Sequence, residues 1–336
     1  MAHTTPHPRR GRRGRRVLIR LGASLLVVSL LALLAIWQLG PRYGLYLVPP
    51  SPAAYADDAL QKMDQGYYAQ GPAWEAARAK AVRDTRDASS HADTLPALRE
   101  AVAVAGGRHS KIFPAGESLS SFDKDRPLPT VTRTGPVTTI TVPKVSAEDQ
   151  GFQQRYAKTL THGIAGADAA TTCGWIVDTR HNHGGDMRPM LAGLSPLLDD
   201  GKIAGFVTRT GGTTDVTVAG GTIRVGGADA MSAESRPKST KPVAVLQGPD
   251  NGSSGEVVVL AFKGAPGARS FGAPTAGYSS ANQTVRLYDG TQMLLTTALD
   301  TDRHGKTYGG PIAPDQVAPV DTAHEAARTW LQQQCR

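Results

Sequence analysis

The stretch PVAVLQGPDNGSSGEVVVLAF, residues 242–262, decides the fold that the sequence predicts. An apolar run ends at Gly248, a turn rich in Gly, Asp and Asn follows, and a second apolar run starts after Glu256. This order predicts a buried strand, a tight turn and a helix, as in α/β proteins. Ser253 and Glu256 have the spacing of a capping box, which would fix the start of the helix.

The same turn can present a nucleophile. Ser253 would stand beyond the carboxyl end of the strand, where free N–H groups of the helix favour a developing oxyanion. A second glycine-rich turn, VDTRHNHGGD (177–186), also follows a predicted strand. Gly184 and Gly185 would let the backbone approach a substrate closely. Taken alone, the first turn is better explained as a helix cap and the second as an ordinary β-turn, so the rest of the chain must decide.

The net charge of +8 is concentrated at the N-terminus. Residues 1–40 hold seven arginines and no acid, which leaves 30 basic and 29 acidic residues in the body. This balance argues against a nucleic-acid partner. Residues 21–39 are uncharged and would span about 28 Å as a helix, close to the thickness of a bilayer core. The arginines before them predict a cytoplasmic N-terminus, with the rest of the chain outside.

This segment has no convincing small-x-small cleavage site and is interpreted as an uncleaved signal anchor in the cell membrane. A twin-arginine export signal (RRVLI) and a buried core helix are the alternatives. Beyond it, the prolines of residues 40–56 predict a linker. Cys173 and Cys335 would lie in an oxidising compartment, where a disulfide between them is possible but not established by their spacing.

The body alternates helical and strand patterns. Helical spacing of apolar residues covers 57–106, 148–167, 187–198 and 321–333, and strand candidates are 135–145, 173–180, 203–209, 214–225 and 242–248. Asp289-Gly290 marks a late β-hairpin. We therefore expect an α/β fold. A serine nucleophile also needs a base. Among nine histidines, His109 lies in AGGRHSKIF, where the helical part meets the strands.

Five blocks occur in a recognisable order: LREAVAVAGGRHSKIF, GWIVDTRHNHGGD, QGPDNGSSGE, FGAPTAGY and GGPIAPDQV. Together they resemble the C-terminal-processing (tail-specific, or tricorn core) serine peptidase family over about residues 100–320. The resemblance implies a crotonase/ClpP-like α/β core (109–336) with a small helical cap (57–108), after the basic tail (1–20), the anchor (21–39) and the linker (40–56). It implies Ser253 as the nucleophile and an oxyanion hole formed by the N–H groups of Ser254 and of Gly184 or Gly185.

The sequence departs from the Ser–Lys pattern of many relatives. In TAGYSS, Tyr278 stands where they have the catalytic lysine, and Lys263, at the end of the nucleophile's helix, is expected to point to solvent. Other branches take their base from the Gly-x-His block, which implies His109. Imidazole, with an ordinary pKa of about 6.5, can accept the serine proton near neutral pH. The carboxylate that would orient it stays open among Asp186, Asp289 and Asp315, or a pair suffices.

Residues 110–173 leave no room for the PDZ domain that many relatives carry, so the chain is most similar to the nisin-resistance branch. The resemblance implies an extracytoplasmic endopeptidase that needs no cofactor and acts near the C-terminus of peptides, such as a lantibiotic. General processing of envelope proteins is the alternative within the same class. Two hypotheses come from other classes of protein. One is a degenerate module that binds peptide or lipid, suggested by Tyr278 and Arg108. The other is a metal site at His181, His183 and Asp186.

Overall fold

The computed structural model describes residues 11–40, 46–117, 126–145, 149–168 and 172–335. Its helices are α1 (Gly11–Leu39), α2 (Pro52–Met63), α3 (Gly71–Asp84), α4 (His91–Gly106), α5 (Gln150–Asp168), α6 (Met187–Leu194), α7 (Ser254–Phe262) and α8 (Ala323–Gln334). Its strands are β1 (Lys111–Phe113), β2 (Thr130–Thr134), β3 (Val137–Thr141), β4 (Gly174–Asp178), β5 (Gly201–Thr208), β6 (Thr213–Ala219), β7 (Thr222–Val225), β8 (Ala228–Ser232), β9 (Val243–Gln247), β10 (Ala268–Gly272), β11 (Ser280–Arg286), β12 (Gln292–Asp302) and β13 (Gln316–Val317). The predicted mixed α/β content is confirmed.

Helix α1 contains one segment, Arg20–Leu39, that is long and apolar enough to cross a membrane. Its mean hydropathy is 2.1, and none of it is buried against the rest of the chain. By length and composition this helix is compatible with the expected signal anchor.

A six-stranded sheet in the order β13-β10-β9-β4-β3-β2 positions the two glycine-rich turns. Strands β3, β4, β9 and β10 pair in parallel, and only β2 runs antiparallel. Asp178 at the end of β4 pairs with Leu246 near the end of β9. Because adjacent parallel strands end at the same edge, the turns after β4 and β9 lie side by side.

A seven-stranded antiparallel sheet is built around the long strand β12, which pairs with β1, β5 and β11. Strands β11 and β12 form the predicted hairpin, which turns at Asp289-Gly290. The predicted single strand 214–225 is wrong, because β6 and β7 are two arms of a hairpin. Gly220 and Gly221 turn the chain between them with φ of +54° and +82°, a conformation that favours glycine.

Two apolar layers cover the parallel sheet. On one face, Leu160 of α5, Met190 of α6 and Leu260 of α7 pack in one buried cluster that also contains Trp175 of the parallel sheet and Val216 of the antiparallel sheet. On the other face, α8 packs through Ala327 and Leu331. Cys173, just before β4, and Cys335, just after α8, form a disulfide with a Cα–Cα distance of 5.6 Å.

Helix α4 packs on β1 and β12 of the antiparallel sheet, and α2 and α3 pack against α4. Their buried Leu60, Met63 and Leu98 share a core cluster with Met293 and Leu295 of β12. The helical segment therefore has no core separate from the sheet. Helix α2 also begins at Pro52, inside the expected linker 40–56, and the Ser51 hydroxyl accepts from the Ala54 N–H at 3.2 Å as its N-cap. The linker prediction is wrong over residues 52–56.

Candidate active site

Ser253 stands at the start of α7, just beyond the carboxyl end of β9. Its φ is +54°, and within the described part of the chain no other residue except glycine has a positive φ. A left-handed backbone at a residue with a side chain costs on the order of 1–3 kcal/mol, and such strain clusters at functional turns. The Ser253 N–H donates to Glu256 Oε2 at 2.8 Å, so the glutamate half of the predicted capping box is present.

The Glu256 carboxylate is buried and joins two segments of the site. Besides the Ser253 N–H, it accepts hydrogen bonds from the Thr275 hydroxyl, from the Gly277 N–H at 3.0 Å and from the Tyr278 N–H at 2.8 Å. Burial raises the pKa of this carboxyl group, and the hydrogen bonds oppose that shift. The nucleophile turn is thereby tied to the segment 275–278.

The second glycine-rich turn packs directly against Ser253. A methyl group added at Gly184 would lie 2.8 Å from Ser253 Cβ and 3.1 Å from the Ser254 nitrogen. One added at Gly185 would lie 1.8 Å from the Val145 carbonyl oxygen. Both glycines also have positive φ, +107° and +96°. Only glycine fits either position, because the turn lies against Ser253 and Val145.

The predicted oxyanion donors differ in whether their N–H groups are free. The Gly184 N–H donates to Asn182 Oδ1 at 2.9 Å and is engaged. Within the described residues, the N–H groups of Gly185 and Ser254 have no acceptor. The Ser254 hydroxyl donates to the Gly185 carbonyl oxygen at 2.7 Å, which holds these two residues together. Gly185 and Ser254 are therefore the pair available to an oxyanion.

His109 lies in a single 3₁₀ turn between α4 and β1. Its Nδ1 hydrogen-bonds with the Ser280 hydroxyl at 2.8 Å, and its ring lies 5.0 Å from that of Tyr278. Burial, and then the charges of Lys111 and Arg108, lower the pKa of His109 to about 4. The imidazole is therefore neutral at neutral pH and can accept a proton.

Tyr278 lies between the histidine and the nucleophile turn. The Arg108 guanidinium stands 4.4 Å from the centre of its ring, and a methyl group at Gly252 would be 3.4 Å from its Cδ2. Among the described residues, no hydrogen bond joins His109 to Ser253. The structure thus brings His109, Tyr278 and the nucleophile turn together without closing the Ser–His contact.

None of the three carboxylates considered for orienting His109 contacts it. Asp186 pairs with Arg188 and accepts from Gln153 Nε2 at 3.1 Å. Asp289 accepts from the Tyr55 hydroxyl at 3.1 Å, and Asp315 pairs with Lys263 at 2.6 Å. Ser280 instead occupies the position next to Nδ1, and of the alternatives left open by the sequence only a pair without a carboxylate fits this contact. The only sequence signal for Ser280 is its place in TAGYSS. It lies two residues after Tyr278, the residue that stands where many relatives have a catalytic lysine.

Two other expectations can be compared with the structure. Lys263 does not point to solvent, because its Nζ also donates to the Ala313 carbonyl oxygen at 2.9 Å. The exposed His181 lies 3.6 Å from Asp250, and Asp186 is already paired. Within the described residues, no three His, Cys, Asp or Glu side chains are arranged to hold a metal ion.

Sequence reasoning also missed Asp300, in β12. Its side chain is buried, and neither carboxylate oxygen has a hydrogen-bond partner among the residues that the structure describes. Burial, and the neighbouring charge of Glu256, raise the pKa of Asp300 well above its usual value. Glu256 accepts four hydrogen bonds and Asp300 accepts none, so the proton of this buried pair belongs on Asp300.

Comparison with known proteins shows the family of the chain. The model of peptidase family S41 matches residues 137–318. The nisin-resistance protein of Lactococcus lactis subsp. lactis is 34% identical over 329 residues, covering 96% of this chain and 99% of that protein.

Two solved structures extend the comparison. The structure of a lipoprotein from Streptococcus agalactiae has a TM-score of 0.74 at 29% identity, covering 86% of this chain and 99% of its own. The photosystem II D1 C-terminal processing protease has a TM-score of 0.58 at 14% identity, covering 82% and 95%, and shows the fold alone. By the family model and by the relative that matches nearly its whole length, the chain belongs to peptidase family S41, a family of serine peptidases.

Proposed function

We propose that this chain is a membrane-anchored serine endopeptidase that cleaves peptides near their C-terminus on the outer side of the membrane. The observation that carries the proposal is the strained turn at Ser253, which lies against Gly184 and beside two free N–H groups. Strain of this kind persists only where the surrounding structure enforces it, and it clusters at active sites. A crotonase/ClpP-like core and a cap over the site, as the family resemblance implies, belong to this proposal.

In the proposed reaction, Ser253 Oγ attacks the peptide carbonyl carbon while His109 Nε2 takes the hydroxyl proton. Nδ1–H of His109 then donates to Ser280 Oγ, which leaves Nε2 as the basic nitrogen. The Gly185 and Ser254 N–H groups stabilise the oxyanion, and the histidine returns its proton to the leaving amine. Water then attacks the acyl-serine by the same route, releasing the acid and restoring both residues.

The proposal requires His109 to reach Ser253 Oγ when a substrate is bound. Catalytic hydrogen bonds are often long in unliganded enzymes and tighten only in the complex. Tyr278 lies against the His109 ring and next to Gly252, the residue before Ser253, so it borders the path that His109 would take.

The anchor and its orientation rest on α1 and on the arginines that precede Arg20–Leu39. Positive charge on one side of a span favours the cytoplasm for that side. Nisin is the first substrate to test, because the relative that matches nearly the whole chain is named for resistance to it.

The deciding experiment labels the full chain, in detergent, with a fluorophosphonate and maps the modified residue by mass spectrometry. We expect labelling at Ser253, none in Ser253→Ala, and at least about a hundredfold slower labelling in His109→Ala, the range of general-base catalysis. His181→Ala, at an exposed histidine, is the matched control and should label normally. Labelling that survives His109→Ala unchanged would show that the base is another group.

A non-catalytic peptide-binding module is the second candidate, favoured by Tyr278 and by the open Ser–His contact. It predicts no labelling of the folded wild-type chain and no cleavage of nisin, with nisin binding retained.

A further inference from the structure

A cavity of about 310 Å³ lies between α4 and β1, next to the segment that carries His109. We call it the β1 cavity. It is lined by Arg99, Val102, Ser110, Lys111, Ile112 and Phe113. Its volume is at the small end of ligand sites, about 300–1,000 Å³. It has room for one or two residues of a peptide rather than for a folded partner.

The walls of the β1 cavity combine apolar surface with unpaired positive charge. Val102 and Ile112 are buried and present an apolar surface, and Ser110 is already bonded to Thr296. Arg99 and Lys111 are exposed, and within the described residues neither has an ion pair or a side-chain hydrogen bond. Two free cations beside an apolar wall suit a ligand that carries both a carboxylate and an apolar group.

The position of the β1 cavity connects it to the proposed reaction. Lys111 follows His109 by two residues, and its charge is close enough to lower the pKa of the histidine. Ser110, which follows His109 directly, itself lines the cavity, so the cavity begins one residue from the proposed base.

We propose that the β1 cavity binds the C-terminal residue of the peptide substrate, with its carboxylate on Arg99 and Lys111 and its side chain on the apolar wall. The inference rests on the proposed function and gives it a physical basis. A fixed carboxylate site near the base would restrict cleavage to bonds close to a free C-terminus.

Binding can be tested without cleavage in the full-length Ser253→Ala chain in detergent. The probe is fluorescein-Gly-Ala-Ala-Gly-Ala-Leu, made as the free acid and as the C-terminal amide, and its affinity is measured by fluorescence anisotropy. We expect the acid to bind about tenfold more tightly, as one charge-assisted hydrogen bond supplies. Arg99→Ala or Lys111→Ala should lower the affinity for the acid to that for the amide. Arg86→Ala, at an exposed cation after α3, should change neither affinity.

Equal affinity for acid and amide, or no binding of either, would overturn the proposal. Unchanged thermal unfolding of the two cavity variants shows that they are folded. Vesicles of phosphatidylglycerol and of phosphatidylcholine test whether a lipid headgroup occupies the cavity. Displacement of the free-acid peptide by phosphatidylglycerol vesicles but not by phosphatidylcholine vesicles would contradict a peptide site. An acid preference in Ser253→Ala, together with a wild-type chain that does not react with fluorophosphonate, would refute the peptidase proposal and leave the cavity assignment standing.

Discussion

The surroundings of Ser253 and His109 determine the backbone conformation of the serine and the protonation state of the histidine. The serine is held in a left-handed conformation by a buried glutamate, and the histidine is kept neutral by burial and two nearby cations. A general base works in its neutral form, so the pKa of His109 sets the lower pH limit of the proposed activity.

The pH dependence of labelling by a small fluorophosphonate measures that limit. With a pKa of about 4, the imidazole stays unprotonated across most of the acid range, and labelling should fall to half only near pH 4. Removing a cation stabilises the protonated ring, so Lys111→Gln should move the midpoint to higher pH. Arg86→Gln is the control and should not move it. A wild-type midpoint near the ordinary value for histidine, about 6.5, would contradict the prediction.

Asp300 gives a prediction about stability. Its pKa is raised in the folded state, so the folded state holds a proton that the unfolded chain releases above about pH 4. Stability is then lost as the pH rises from there toward the folded pKa. Asp300→Asn mimics the protonated form and should raise the free energy of unfolding at pH 7. The gain should disappear near pH 3, as measured by denaturant unfolding; an equal gain at both pH values would refute the explanation.

At the scale of elements, the site depends on how closely the turn after β4 approaches its neighbours. Gly185→Ala combines an unfavourable φ with a methyl group placed 1.8 Å from the Val145 carbonyl oxygen. We expect it to abolish labelling at Ser253 and to lower stability by several kcal/mol, on the order of a severe backbone clash.

Gly227→Ala is the matched control. Gly227 also has a positive φ, +85°, but nothing lies within 4 Å of an added methyl group. It should cost only the conformational penalty, about 1–2 kcal/mol, and leave labelling intact. Equal effects of the two substitutions would show that close approach is unimportant.

The elements themselves show what can be predicted from sequence. Strands β4 and β9 and the hairpin at Asp289-Gly290 follow local patterns of apolar residues and turns, and the structure has them as predicted. Helix α2 was missed at its start because the prolines of 49–52 suggested a linker, although Ser51 and Pro52 form a regular helix beginning.

The partners inside the site were harder to predict. Ser280 meets His109 across 171 residues of sequence, and Asp300 acquires its environment only when β12 packs behind Glu256. Such contacts depend on strand register in the folded sheet, which no local pattern encodes. Ser253 and the glycine turn, in contrast, are defined within a few residues of sequence.

At the scale of the molecule, the disulfide and the site lie at opposite ends of the parallel sheet. Cys173 precedes the amino end of β4, whereas Ser253 follows the carboxyl end of β9. The bond spans 162 residues, and cross-links of this size stabilise by about 2–5 kcal/mol.

Replacing both cysteines by alanine should therefore lower the free energy of unfolding by about 2–5 kcal/mol. It should not slow the labelling of Ser253 at 25 °C. Denaturant unfolding of the oxidised wild type and of the double variant measures the loss, and labelling is followed in parallel without denaturant. Loss of labelling in a variant that is still folded would show that the disulfide shapes the site.

The contact between His109 and Ser280 has a consequence for the chain while it folds. In the sequence, the proposed base precedes β1. The Ser280 hydroxyl beside it and the loop bound by Glu256 both follow the proposed nucleophile, Ser253. While it folds, the chain carries every one of these residues and yet has no complete site until its distant segments have met. On the proposed mechanism, completion of folding activates the serine, as removal of a propeptide activates a zymogen.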